Sequence, residues 1–212
     1  MVIQIIDLQT WERTAHYQFF KRMDYPHYNV CMNIEITNFL RMLESQRLPF
    51  YYAMIYAATL AINSAEAFRY RIRGEQVVLH EMVHPSFTDM SEGSDLFKFV
   101  TVNMGESLQD FVRTAADVAK NQTEHFVQAD GEDRDDLIYI TCVPWVSFTS
   151  LSHTISFNKD DSVPRLAWGK YFQDGEKVLL PFSIQAHHSF VDGIHIGRYV
   201  DFLQHYLNQD QF

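Results

Sequence analysis

Hydrophobic and polar positions alternate with two different periods along this chain, and the period changes mark its elements. VCMNIEIT (30–37) reads as a strand that runs into a helix over Asn38–Gln46, and Leu48–Phe68 follows as a long, mostly apolar helix. Arg69–Ile72 and Gln76–Leu79 flank Gly74-Glu75 as a hairpin, and Leu96–Val102 alternates as a strand. Ser107 is placed to cap a helix running to about His125, with Leu108, Phe111, Val112, Ala115 and Val118 on one face. Strand-like runs then crowd the second half: Leu137–Val143, Trp145–Phe148, Arg165–Phe172 and Lys177–Ala186. The last two are joined by Gln173-Asp174-Gly175-Glu176, whose Asp-Gly step is a strong hairpin signal. Ile194–Leu207 closes with Ile194, Gly197, Tyr199, Val200, Leu203 and Leu207 at helical spacing. Helices lie early, in the middle and last, while strands concentrate late. That order favours an α/β two-layer sandwich, a mixed sheet with helices packed on one side, over a regular βαβ repeat.

Length and composition narrow the class. The 212 residues suit one domain spanning 1–212, and no linker or repeat divides them; ADGEDRDD (129–136) reads as a solvated loop. A formal charge of −10 argues against nucleic-acid binding, which needs clustered Lys and Arg. Cys31 and Cys142 are far apart and form neither a disulfide framework nor a zinc ribbon, which points to a reducing, cytoplasmic setting. The N-terminus has no basic start and reaches Asp7 early, so neither a signal peptide nor a membrane helix is read there.

The candidate chemistry sits in QAHHSFVDG (185–193), between the last strand and the last helix. A histidine there can act as a general base near neutral pH if its tautomer is fixed and one ring nitrogen is open. The alternative is structural, with Asp192 capping the helix, the histidines packing at a strand end and His195 a surface or packing residue. A metal site is a third reading, but neighbouring strand residues point to opposite faces, so His187 and His188 would not readily share an ion.

HHSFVDG matches the HHxxxDG signature of CoA-dependent acyltransferases. IDLQTWERTAHYQFF (6–20), EIT (35–37), FYYAMIY (50–56), VPWVSFTSL (143–151), WGKY (168–171) and LLPFSIQAHHSFVDG (179–193) together resemble the chloramphenicol acetyltransferase family over essentially the whole chain. The resemblance implies a trimeric acetyl-CoA-dependent O-acetyltransferase that acetylates chloramphenicol and so confers antibiotic resistance. It implies acetyl-CoA as a co-substrate, no permanently bound cofactor or metal, and active sites between subunits.

Residue by residue, the resemblance makes His188 the base that takes the acceptor's hydroxyl proton. Thr141, four residues before Trp145, stands where the family places a serine hydroxyl for the oxyanion. Asp192 would pair with Arg13 of the Trp-x-Arg segment to pin the loop. Phe20, Tyr28 and Phe126 match aromatic acceptor-pocket positions, and Tyr171 is a candidate contact for CoA. Pro26, His153, Arg165 and Ala167 depart from the family's pattern, His153 replacing a usual leucine, and they bear on the acceptor. A 2-oxo acid dehydrogenase acyltransferase core carries a related HxxxDG motif, but would ordinarily bring a lipoyl domain and a linker that this sequence lacks. A non-catalytic sensor with the same aromatic cleft is the non-enzyme alternative.

Overall fold

The structure, a computed structural model, describes residues 3–91, 93–126 and 134–209; residues 129–133 of the acidic run lie outside them. Among the described residues, ten strands and five α-helices follow in the order β1 (Ile3–Ile5), α1 (Thr14–Phe20), β2 (His27–Glu35), α2 (Thr37–Gln46), α3 (Phe50–Ser64), β3 (Tyr70–Arg73), β4 (Gln76–His80), β5 (His84–Met90), β6 (Phe97–Thr101), α4 (Leu108–Asn121), β7 (Leu137–Val143), β8 (Arg165–Gly169), β9 (Phe172–Asp174), β10 (Lys177–His187) and α5 (Gly193–Leu207). A mixed sheet runs β2-β10-β8-β7-β5-β6, with β9 on β10, and β1-β4-β3 form a small second sheet. The β5–β7 and β7–β8 pairs are parallel and the other pairs antiparallel. The helices pack on one side of the main sheet, as the α/β sandwich reading requires.

That side holds the core. Along β10, Leu180, Phe182, Ile184 and Ala186 face the helices and are fully buried. Phe182 stacks between Trp168 of β8 and Tyr199 of α5, with ring centroids 6.0 and 6.2 Å away. In α4, Leu108, Phe111, Val112, Ala115 and Ala119 are buried and Ser107 accepts the Asp110 N–H as its cap, at 3.1 Å. Val118, read as an inner position, faces solvent, because the four-residue step from Ala115 to Ala119 carries the stripe past it.

Several boundaries shift for local reasons. The long apolar helix begins at Phe50, since Pro49 holds the preceding residue extended, and ends at Ser64; Glu66–Phe68 form a separate 3₁₀ turn. Arg165–Phe172 is two strands. Lys170 donates its N–H to Val146 O at 2.9 Å, outside the ladder, and pairing resumes at β9. Trp145–Phe148 is not a strand. Pro144 cannot donate to a ladder, and Val146 N–H closes a turn onto Val143 O at 3.3 Å. Three elements escaped the pattern: β1, α1 and β5. In the β9–β10 hairpin Gly175 takes φ +59°, the left-handed conformation that the Asp-Gly signal demands.

The opposite side of the sheet is polar. Ser183, Gln185 and His187 of β10 point there, and the irregular segment 151–161 lies across them. Leu151 O accepts from Ser183 Oγ at 3.1 Å and from Asn29 Nδ2 at 2.7 Å, and His153 N–H donates to Gln185 Oε1 at 2.9 Å. This two-sidedness positions everything that follows.

Candidate active site

β10 pairs with β2 up to His187↔His27, and His188 N–H extends the ladder to Pro26 O at 2.9 Å. The chain then turns, with the N–H groups of Phe190 and Val191 both donating to His187 O at 3.1 Å. Alternation sends the two imidazoles to opposite sides. His187 is 1% exposed, and burial pushes its ring down to about 3, so it stays neutral. The His188 side chain is 34% exposed. Its ring stacks on Phe20 of α1, centroids 4.0 Å apart, and lies 4.5 Å from Tyr28 of β2.

The His188 Nδ1 atom is 3.0 Å from Val191 O. A carbonyl only accepts, so Nδ1 carries the proton and Nε2 presents its lone pair, the tautomer a general base needs. Asp192 Oδ1 lies 3.2 Å from the same Nδ1 and holds the ring edge.

Arg13, immediately before α1, locks this loop. Its Nη1 and Nη2 donate to Asp192 Oδ2 and Oδ1 at 2.6 and 2.8 Å, its Nε to Ser189 O at 2.7 Å, and Nη2 also to His188 O at 3.2 Å. The guanidinium holds the Asp192 carboxyl below its ordinary range. Asp192 is also the N-cap residue of α5, so the residue that starts this helix is the one bound to Arg13. The Asp192 N–H donates to His195 Nδ1 at 2.9 Å, a role for His195 that its sequence context did not disclose.

The remaining candidates gather elsewhere. A groove of about 1250 Å³ crosses the polar side of the sheet and its edge near α3, and Thr141, His153, Arg165 and Tyr171 line it. Phe126 does not line it; 65% exposed, it packs on the lining residues Phe97 and Phe99 at centroid distances of 5.9 and 5.4 Å. Arg165 lies 5.4 Å from the Tyr139 ring centroid and pairs with Asp161 at 2.5 Å, so its charge is neutralised within the chain. Asp161, inside NKDDSVPR, is a partner that sequence reading missed. Burial and the nearby Arg165 push His153 down to about 4, leaving a neutral imidazole in the groove wall. Ala167 is fully buried.

The register separates these two groups. Thr141 is opposite Ala167, and Ala167 opposite Ser183, which puts Thr141 on the polar side. His188 follows Ala186 on the helix side. Five residues along at about 3.3 Å each, and two strand spacings of about 4.8 Å across, put their Cα atoms roughly 19 Å apart. Within one chain, Phe20, Tyr28, Arg13 and Asp192 surround His188, while Thr141, His153, Arg165 and Tyr171 line the groove and Phe126 packs on its Phe97 and Phe99.

Among the described residues no group of three or more His, Cys, Asp or Glu is placed to hold a metal ion, and no helix is long and apolar enough to cross a membrane.

Comparison with known proteins identifies relatives over nearly the whole chain. The family model for chloramphenicol acetyltransferase matches residues 1–204. A chloramphenicol acetyltransferase of Klebsiella sp is 27% identical over 206 residues, covering 97% of this chain and 94% of its own. One of Clostridium perfringens is 29% identical over 203 residues, covering 94% and 92%. A solved chloramphenicol acetyltransferase structure superposes with a TM-score of 0.82 at 23% identity, over 97% of this chain and 98% of that one. The dihydrolipoamide acetyltransferase of Azotobacter vinelandii shares the fold at a TM-score of 0.69 and 15% identity, covering 99% and 92%. A fold shared with these acyltransferases, an HHxxxDG loop at the strand–helix junction and a family match over nearly the full length lead to one statement: the chain belongs to the chloramphenicol acetyltransferase family.

Proposed function

We infer that this chain, as one domain, transfers the acetyl group of acetyl-CoA to a hydroxyl of chloramphenicol, with His188 as general base, and so confers resistance in the cytoplasm. His188 Nε2 takes the hydroxyl proton, and the oxygen attacks the thioester carbonyl. The tetrahedral oxyanion accepts a hydrogen bond from the Thr141 hydroxyl. Collapse expels the CoA thiolate, which takes the proton back from the imidazolium. No permanently bound cofactor enters this scheme. The neutral Arg165–Asp161 pair and the neutral His153 suit an uncharged acceptor.

One observation carries the assembly: His188 and Thr141 lie on opposite faces of one sheet, so a single copy does not bring base and oxyanion donor together. A homotrimer in which the His188 loop of one copy covers the groove of the next brings them together. Phe20 and Tyr28 would then reach the acceptor from one side and Phe126, His153 and Arg165 from the other, with Tyr171 at the CoA end.

The test uses purified protein, acetyl-CoA, chloramphenicol and a thiol-reactive dye. Thiol release above background supports the reading. Release with other alcohols alone rejects chloramphenicol as the acceptor, and drug binding without any release favours the sensor. The His188→Ala protein loses about 10²–10⁴-fold in kcat while remaining folded. Co-expressed His188→Ala and Thr141→Val chains, each inactive alone, regain activity at about a quarter of their shared sites if base and donor come from different copies. Absence of that recovery rejects the intersubunit site.

A further inference from the structure

His188 and His195 are joined through a single peptide group. The Val191 carbonyl accepts from His188 Nδ1 at 3.0 Å, and the amide of the same peptide, Asp192 N–H, donates to His195 Nδ1 at 2.9 Å. The two imidazoles therefore hold opposite ends of one rigid planar unit. We propose that His195 is a positioning residue for the base: by accepting the Asp192 N–H it orients the Val191–Asp192 peptide and polarises its carbonyl toward His188, fixing the Nδ1–H tautomer.

The chemistry fixes the protons at each step. A carbonyl oxygen and an amide N–H have only one role each, so His188 carries hydrogen on Nδ1 and His195 leaves its Nδ1 bare, with hydrogen on Nε2. A hydrogen bond donated by an amide strengthens the acceptor at the other end of that amide. His195 thus raises the pull of Val191 O on His188 Nδ1–H and favours positive charge on the His188 ring when Nε2 takes a proton. Asp192, the third neighbour, is already committed to Arg13 through both oxygens, so its carboxylate does not by itself orient its own amide.

His195 is built to stay neutral. It occupies the third position of α5 and is half-buried, and burial together with the Arg13 charge lowers its tendency to bind a proton. A glutamine at this helix position also accepts the N-cap amide, as in a capping box, and supplies the conservative replacement. Simple helix capping predicts only a change in stability when His195 is altered; a positioning role predicts a change at His188 itself.

This inference rests on His188 being the base, and the experiment keeps the two apart. Side-chain ¹⁵N NMR of the parent protein shows His195 Nδ1 without a proton and His188 Nδ1 with one. A protonated His195 Nδ1 in the parent overturns the link with no variant needed. In His195→Ala the His188 nitrogens shift toward a mixture of tautomers, and kcat falls about fivefold with KM within about twofold, the value of one neutral hydrogen bond. His195→Gln restores most of the rate and the parent ¹⁵N pattern. A folded His195→Ala protein with unchanged His188 resonances and unchanged kcat refutes the proposal. A fully active His188→Ala protein refutes the base assignment, while the NMR result still judges the coupling.

Discussion

Replacing Asp192 by Asn tests what the loop clamp contributes. The substitution keeps shape but removes the charge that receives two short bonds from Arg13 and turns one acceptor into a donor facing the guanidinium. Charge-assisted hydrogen bonds contribute about 1.5–3 kcal/mol each, and breaking a fully buried pair costs about 3–5 kcal/mol. Here the side chains are 16% and 29% exposed, and Arg13 keeps its bonds to Ser189 O and His188 O. Partial screening brings the loss to about 2–3 kcal/mol. For a chain of this size that lowers Tm by between about 4 and 12 °C, measured at one fixed protein concentration. The cycle of Arg13→Met, Asp192→Asn and the double variant isolates the pair; a coupling of about 1.5 kcal/mol or more is the expected result. Asp192 has its folded pKa depressed below the ordinary 3.8, so its stabilisation is present above that value and is lost as pH falls through the lower folded one. The gap between parent and Asp192→Asn therefore closes below about pH 4. A coupling under about 0.5 kcal/mol, or a gap unchanged at low pH, refutes the clamp.

Three further outcomes follow from other parts of the molecule. Thr141→Val lowers kcat about 10²-fold or more with KM little changed, and Thr141→Ser recovers most of it; equal rates for the valine and serine proteins dismiss the oxyanion role. Burial pushes His27 down to about 4 and His187 to about 3, with Asp161 and Arg165 facing His27. Folding requires both to stay neutral, so stability declines as pH drops from about 6.5 toward 4, and His27→Gln flattens that decline in a thermal scan; an identical slope contradicts it. Gly169→Ala places a Cβ 2.5 Å from Val146 O and 3.0 Å from the Phe148 ring, costing about 2 kcal/mol. An unchanged Tm would show that the turn yields freely.

The sequence made the sandwich legible because its longer elements carry clear patterns: α4 through its stripe, and β10 through an apolar run, interrupted at Ser183 and Gln185, that ends in the histidines. It also pointed to the loop, since HHSFVDG follows a strand; only the family resemblance singles out Arg13, which by itself reads as a surface charge. Shorter or groove-facing elements were silent. The helix Thr14–Phe20 has seven residues, less than two turns of usable period. The strand His84–Met90 carries Pro85, Ser86 and Thr88, and polar residues there line a groove, so the apolar signal fails where the surface is functional. Trp145–Phe148 alternates like a strand, yet the ladder ends at Pro144. Asp161 and His195 were not recognised because their roles depend on which rotamer meets which partner across a loop, information that spacing does not carry.

The two adjacent histidines are chemically identical, and only parity tells them apart. Nine rungs to β2 and four to β8 fix the count along β10. Sliding that strand by one residue would send each imidazole to the other face, sealing His188 beneath segment 151–161 and breaking its stack on Phe20. Which imidazole meets solvent is thus decided by strand pairing far from the ring, and an insertion or deletion anywhere in Lys177–His187 would silence the site while leaving every residue of the HHSFVDG motif unaltered.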